Sequence, residues 1–140
     1  MKTLILVALA MVAVTFSANQ SQAGLEVKAV NSVSTQSAMQ PQQRLSHYFG
    51  IVDINSYNYV DYVVTNRGQT YLAYEGAYIS GADFRARTNC SNGLMPGQQC
   101  QFSITYNPFF EGYHSGLFEL YFSENNEITI DAWGEARRRW

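Results

Sequence analysis

Two cysteines, two histidines and three prolines are all that the 140 residues contain of these types, and only 14% of the chain is charged. Each scarcity excludes something. A zinc site closed by protein needs four ligands, and two cysteines with two distant histidines make a poor set. Redox pairs usually hold their cysteines two residues apart, whereas nine residues separate Cys90 from Cys100. There is no G-x-S-x-G elbow for a hydrolase nucleophile. No segment carries the 3.6-residue apolar period of an amphipathic helix, and after the first two dozen residues no apolar run is long enough to span a bilayer.

Those first residues, "MKTLILVALAMVAVTFSANQSQAG", follow the plan of a secretory signal peptide. Lys2 supplies the positive start, Leu4 to Phe16 the apolar run, and Ser21 and Ala23 the small residues before a cleavage point at Gly24. The expected division is a signal peptide at 1–23, a poorly ordered lead-in at 24–44, one domain at 45–136 and a basic tail at 137–140. Lys2 is one of nine cations, so cleavage leaves eight against eleven acids, a net charge of −3. Three of those cations are Arg137–Arg139, so the body is acidic and offers no electrostatic footprint for nucleic acid. An exported chain, periplasmic or extracellular and without a membrane span after cleavage, is the expectation.

Export places Cys90 and Cys100 in a compartment that permits disulfides. "LMPGQQ" between them reads as a turn, because Pro96-Gly97 is a strong loop signal. A structural disulfide clasping two neighbouring segments follows.

From His47 onward, aromatic and β-branched residues alternate with polar ones. The period of two predicts strands near Tyr59–Asn66, Leu72–Ser80, Cys100–Tyr106, Leu117–Ser123 and Glu127–Gly134. Val64, Phe102, Ile104, Phe118, Leu120 and Ile130 fall on inward faces and form the expected core. Short strands separated by turns every 8–12 residues or so indicate an all-β, antiparallel sandwich.

The order of motifs then matters. "YFGIVDINSYN", "VVTNRGQTYL", "ISGADF", "PGQQCQFSITYNP", "EGYHSGLFEL" and "IDAWGEA" follow one another between Tyr48 and Ala136. Together they resemble the ASH (ASPM, SPD-2, hydin) domain, in the bacterial form called choice-of-anchor D. The closest marks are Asn66 and Gly68, Gly81-Ala82-Asp83-Phe84, and Gly97 leading to Cys100. The resemblance implies a single immunoglobulin-like sandwich of seven to eight strands, related to the major sperm protein fold. It also implies a cysteine pair common in bacterial members, no catalytic machinery, no cofactor, and a structural or protein-binding role. Bacterial copies usually stand in tandem, whereas this sequence holds one behind its export signal.

The residues that invite chemistry have plainer explanations. His114 lies beside Ser115 and near Glu111, but groups this close along a loop rarely converge as a triad, and an exposed loop histidine is expected. Asp53, Asp61, Asp83 and Asp131 are too dispersed for calcium, and Asp83 suits a turn aspartate. No catalytic or metal residue is assigned. The 20 Phe, Tyr and Trp are more informative. Alternation sends Tyr59, Tyr121 and Trp133 to outward faces, where large aromatics are candidates for a contact surface. In the last hairpin the expected register sets Tyr121 against Asp131 and Glu119 against Trp133, making an aromatic strip on one sheet. The expected function is an exported, non-catalytic module that binds a protein at the cell envelope or supports its structure. The alternative is a carbohydrate-binding module using exposed Tyr and Trp.

Overall fold

The computed structural model describes residues 24–30, 38–39 and 42–140; the signal peptide expected at 1–23 lies outside them. Nine strands run in chain order: β1 (Leu25–Ala29), β2 (Ala38–Met39), β3 (Gln42–Asp53), β4 (Asn58–Asn66), β5 (Tyr74–Ile79), β6 (Phe84–Thr88), β7 (Gln99–Tyr106), β8 (Gly112–Phe122) and β9 (Asn126–Arg137). They form a five-stranded sheet, β2-β1-β4-β7-β6, packed on a four-stranded one, β3-β9-β8-β5. A single turn of 3-10 helix, Cys90–Asn92, is the one helical element among the described residues. The all-β sandwich is as expected.

The core lies where the alternation puts it. Val60, Tyr62 and Val64 of β4 and Phe102, Ile104 and Tyr106 of β7 face Phe118, Leu120 and Phe122 of β8 and Ile128 and Ile130 of β9, all of them buried. Aromatic rings stack through the centre: Tyr62 on Phe102 at 4.8 Å, then Phe102 on Phe118 of the opposite sheet at 4.7 Å. Each such pair adds about 0.5–1.5 kcal/mol beyond area burial.

Four features depart from the sequence reading. The lead-in at 24–44 contains β1, paired with β4, and its Leu25 and Val27 are fully buried. Two apolar side chains on one face suffice here because the next strand already offers an apolar floor. Second, the boundaries at 45 and 137 fall inside β3 and on the last residue of β9, so the sandwich is longer than expected. Third, β3 runs parallel to β9, so the sandwich is not wholly antiparallel. A bulge between Tyr48 and Ile51, with Gly50 at φ 77°, flips the parity of β3, so that Phe49 and Val52 both face inward.

The fourth departure is the register of the last hairpin. Phe122 pairs with Asn126, Tyr121 with Glu127, Leu117 with Asp131 and Ser115 with Trp133. Glu124 and Asn125 both take positive φ, 60° and 58°, the pattern of the mirror-image turns that match strand twist. The turn runs Ser123–Asn126 and leaves three residues, Ser123 to Asn125, between the paired ends, so Asn126 becomes the first residue of β9, its side-chain amide donating to the Ser123 carbonyl. Inward and outward faces are unchanged because the shift is even.

Candidate functional site

A disulfide joins Cys90, in the 3-10 turn, to Cys100 of β7, with Cα atoms 5.1 Å apart. Both residues are buried in the core, so the bond holds the loop between them against the sheet and presents no sulfur to solvent.

His114 departs from the exposed loop residue expected. It lies on β8, faces inward, and its Nδ1 is 2.7 Å from the Tyr106 hydroxyl, while Nε2 is 3.7 Å from Asp83 Oδ2. Asp83 in turn accepts the Phe109 N–H at 3.2 Å, which ties the turn before β6 to the loop after β7, the turn role expected of it. Burial, helped by the charges of Asp83 and Glu135, pushes the Tyr106 phenol up to about 12. Tyr106 is fully buried, so a substrate cannot reach it, and the Asp83–His114–Tyr106 group is a polar clasp at one end of the core. The remaining aspartates stand apart: Asp53 beside Arg139, Asp61 accepting from Ser103, and Asp131 held by Arg44 at 2.7 Å. Among the described residues no three His, Cys, Asp or Glu side chains gather as a metal site, and no helix is long and apolar enough to cross a membrane.

The three aromatics singled out in the sequence do not share a surface. Tyr59 lies on β4, in the other sheet from Tyr121 and Trp133. Tyr121 pairs with Glu127 and Trp133 with Ser115, which separates them by six positions along β8, roughly 20 Å at strand rise. The Glu119 carboxylate, two residues away on the same face of β8, raises the Tyr121 phenol. The expected strip is therefore broken.

Trp133 instead gains neighbours that the sequence reading missed. The parallel pairing sets Tyr48 beside it, with the two rings stacked at 5.9 Å and 25°. In the adjacent row Ile51 pairs with Glu135, which pairs with Tyr113 on its other side. Two rows of outward side chains, Tyr48–Trp133–Ser115 and Ile51–Glu135–Tyr113, thus form one patch on the four-stranded sheet. Tyr113 is 81% exposed, Ile51 55%, Tyr48 48% and Trp133 40%. Arg137, beside the patch, is held by Glu135 at 2.9 Å and raised by it. A patch of rigid rings with an internally neutralised charge pair gains free energy when covered, since apolar burial is favourable and Tyr and Trp order few rotors.

No family model matches the chain, and no curated protein does. Solved structures are similar to it. The ASH/PapD-like domain 7 of human CEP192 aligns over 100% of this chain and 99% of its own, at 15% identity and TM-score 0.52. The VesB protease of Vibrio cholerae aligns with 66% of this chain at 20% identity and TM-score 0.54, and the secreted serine protease VesC of the same organism with 64% at 14% and 0.50. This chain covers 30% of the VesB chain and 21% of the VesC chain. At these identities the likeness is one of fold. The chain has an immunoglobulin-like sandwich fold, similar to that of the ASH/PapD-like domain.

Proposed function

We propose that this chain is exported and acts, without catalysis, as a β-sandwich module that docks on a protein partner at the cell envelope. The observation that carries the reading is the outward patch of Tyr48, Trp133, Tyr113 and Ile51. Four large apolar side chains from three strands stand together on a sheet face with no covering element among the described residues. Contiguous patches of this kind mark interaction sites more often than isolated exposed rings do. The signal-peptide plan at 1–23 and a disulfide-clasped core support an extracytoplasmic setting.

The test is affinity capture from the native host with the wild-type chain and with Trp133→Ala, followed by quantitative mass spectrometry. A hot-spot tryptophan contributes about 2 kcal/mol or more, so the variant is expected to lose a specific prey by roughly thirtyfold. Equal recovery by a variant with an unchanged melting temperature overturns the reading.

A further inference from the structure

The outer face of the five-stranded sheet carries a second surface of different chemistry. Register aligns Tyr59 of β4, Thr105 of β7 and Arg85 of β6 in one row, and Asp61, Ser103 and Arg87 in the next. Two interstrand steps set the β4 and β6 rows about 10 Å apart. Between them lies an open groove of about 660 Å³, extended past the strand ends by Tyr57 and Asn107. One wall is therefore aromatic, the other cationic, and the floor is made of hydroxyl and amide groups.

The two arginines differ from every other described cation. Lys28 and Arg67 pair with Glu26, Arg44 with Asp131, Arg137 with Glu135, Arg138 with Glu111 and Arg139 with Asp53. Among the described residues Arg85 and Arg87 alone make no ion pair, in a chain whose net charge is negative. Asp61 faces Arg87 across the groove and accepts the Ser103 hydroxyl, so it offsets that end in part. The Arg85 end, beside Tyr57 and Tyr59, keeps the positive field. Both rings are open, at 67% and 48% exposure.

We infer that this groove binds an acidic polysaccharide, with the carboxylate of a sugar on the guanidinium pair. The C–H face of a pyranose packs on an exposed tyrosine, its hydroxyls exchange hydrogen bonds with Ser103, Thr105 and Asn107, and a planar guanidinium fork matches a carboxylate. An acidic peptide satisfies the arginines, whereas an acidic glycan uses the arginines, the tyrosine wall and the hydroxyl floor together. The site is on the opposite sheet from the Trp133 patch, so each stands or fails without the other.

Polygalacturonate, alginate and hyaluronate are the probes, in affinity electrophoresis and calorimetry with the full chain, beside neutral dextran and polyglutamate. At least one acidic glycan is expected to bind in a salt-sensitive manner, with dextran silent and polyglutamate weaker. The R85A/R87A variant is expected to lose about tenfold or more, the scale of a charge-assisted hydrogen bond, while R85K/R87K keeps part of the binding. Tyr59→Ala is expected to lose about fivefold at an unchanged melting temperature, the scale of one ring contact. Failure of all three glycans overturns the inference. So does polyglutamate binding as tightly as the best glycan with no effect of Tyr59→Ala, which reduces the groove to bare charge. If R85A/R87A binds normally but aggregates, the arginines only guard the β6 edge against pairing, and the inference is again overturned.

Discussion

Asn66 is the residue whose replacement tests the fold most sharply. It ends β4 with no exposed surface, and its side chain does three things at once. The amide donates to the Thr70 carbonyl at 2.8 Å and the Leu94 carbonyl at 2.9 Å, and the side-chain oxygen accepts the Gly68 N–H at 2.9 Å. One side chain thereby holds the loop after β4 and the loop before β7. Asn66→Ala removes all three bonds. An ordinary buried hydrogen bond is worth about 1 kcal/mol net, and a stripped partner costs about 1–3 kcal/mol. Leu94 keeps its bond from the Leu72 N–H, so it is not orphaned, which holds the total near 3 kcal/mol. For a domain of this size that lowers Tm by roughly 10 °C. Asn66→Asp has the same shape, yet it turns two donor positions into acceptors facing carbonyls, and is expected to cost at least as much as alanine. Urea and thermal unfolding followed by circular dichroism measure both. An aspartate variant within about 0.5 kcal/mol of wild type, or an alanine loss below about 1 kcal/mol, refutes the reasoning.

The other predictions concern the clasp, the core and acid. Reducing the Cys90–Cys100 bond, whose partners are 10 positions apart, is expected to cost about 3 kcal/mol by loop-closure entropy. Urea midpoints in the oxidised and reduced states check this, and an unchanged midpoint contradicts it. Gly134→Ala would put a Cβ 2.5 Å from the Tyr106 ring, and is expected to destabilise by about 1–3 kcal/mol through overpacking; a neutral result in thermal melting contradicts it. Burial lowers the His47 pKa below 6.5, so the unfolded chain binds more protons just below that value. Stability is therefore expected to fall as pH drops from 6.5 towards the folded pKa and then level off, and His47→Gln should remove that limb of the melting profile. Glu26 acts at lower pH: hydrogen bonds from Lys28 and then Arg67 hold its pKa below 4.5, so the stability they give is present above 4.5 and lost as pH falls through the folded value. Glu26→Gln should flatten the profile below pH 4.5, and an unchanged slope there contradicts the pairing.

What was legible in the sequence is what alternation encodes. The runs "CQFSITY" and "EITIDAWG" place their apolar residues on one face, Trp133 excepted, and Phe102, Ile104, Phe118, Leu120, Val64 and Ile130 are all buried. β1 was only half legible: "LEVKAV" alternates apolar with charged residues, but so short a run does not tell a strand from a loose lead-in until β4 stands beside it. The start of β3 hides in the same way: Gln43 is buried, its amide donating to the Leu25 carbonyl at 2.6 Å, a partner 18 residues away. The hairpin register depended on which residues of "ENNE" accept positive φ, a choice between neighbours that periodicity does not make. The aromatic patch was half visible. Trp133 could be sent outward by counting, but Tyr48 reaches it through a parallel pairing across the length of the domain, which no local pattern announces.

The central claim is that the Tyr48–Trp133–Tyr113 face meets a protein partner. Site-specific photocrosslinking in the native host tests it most directly, with a benzophenone amino acid at position 113 and, as a control, at Tyr71, which is 48% exposed in the loop before β5. A discrete protein adduct is expected from position 113, none from position 71, and loss of the adduct when Trp133→Ala is added. No adduct from 113, or one that persists in full with Trp133→Ala, contradicts it.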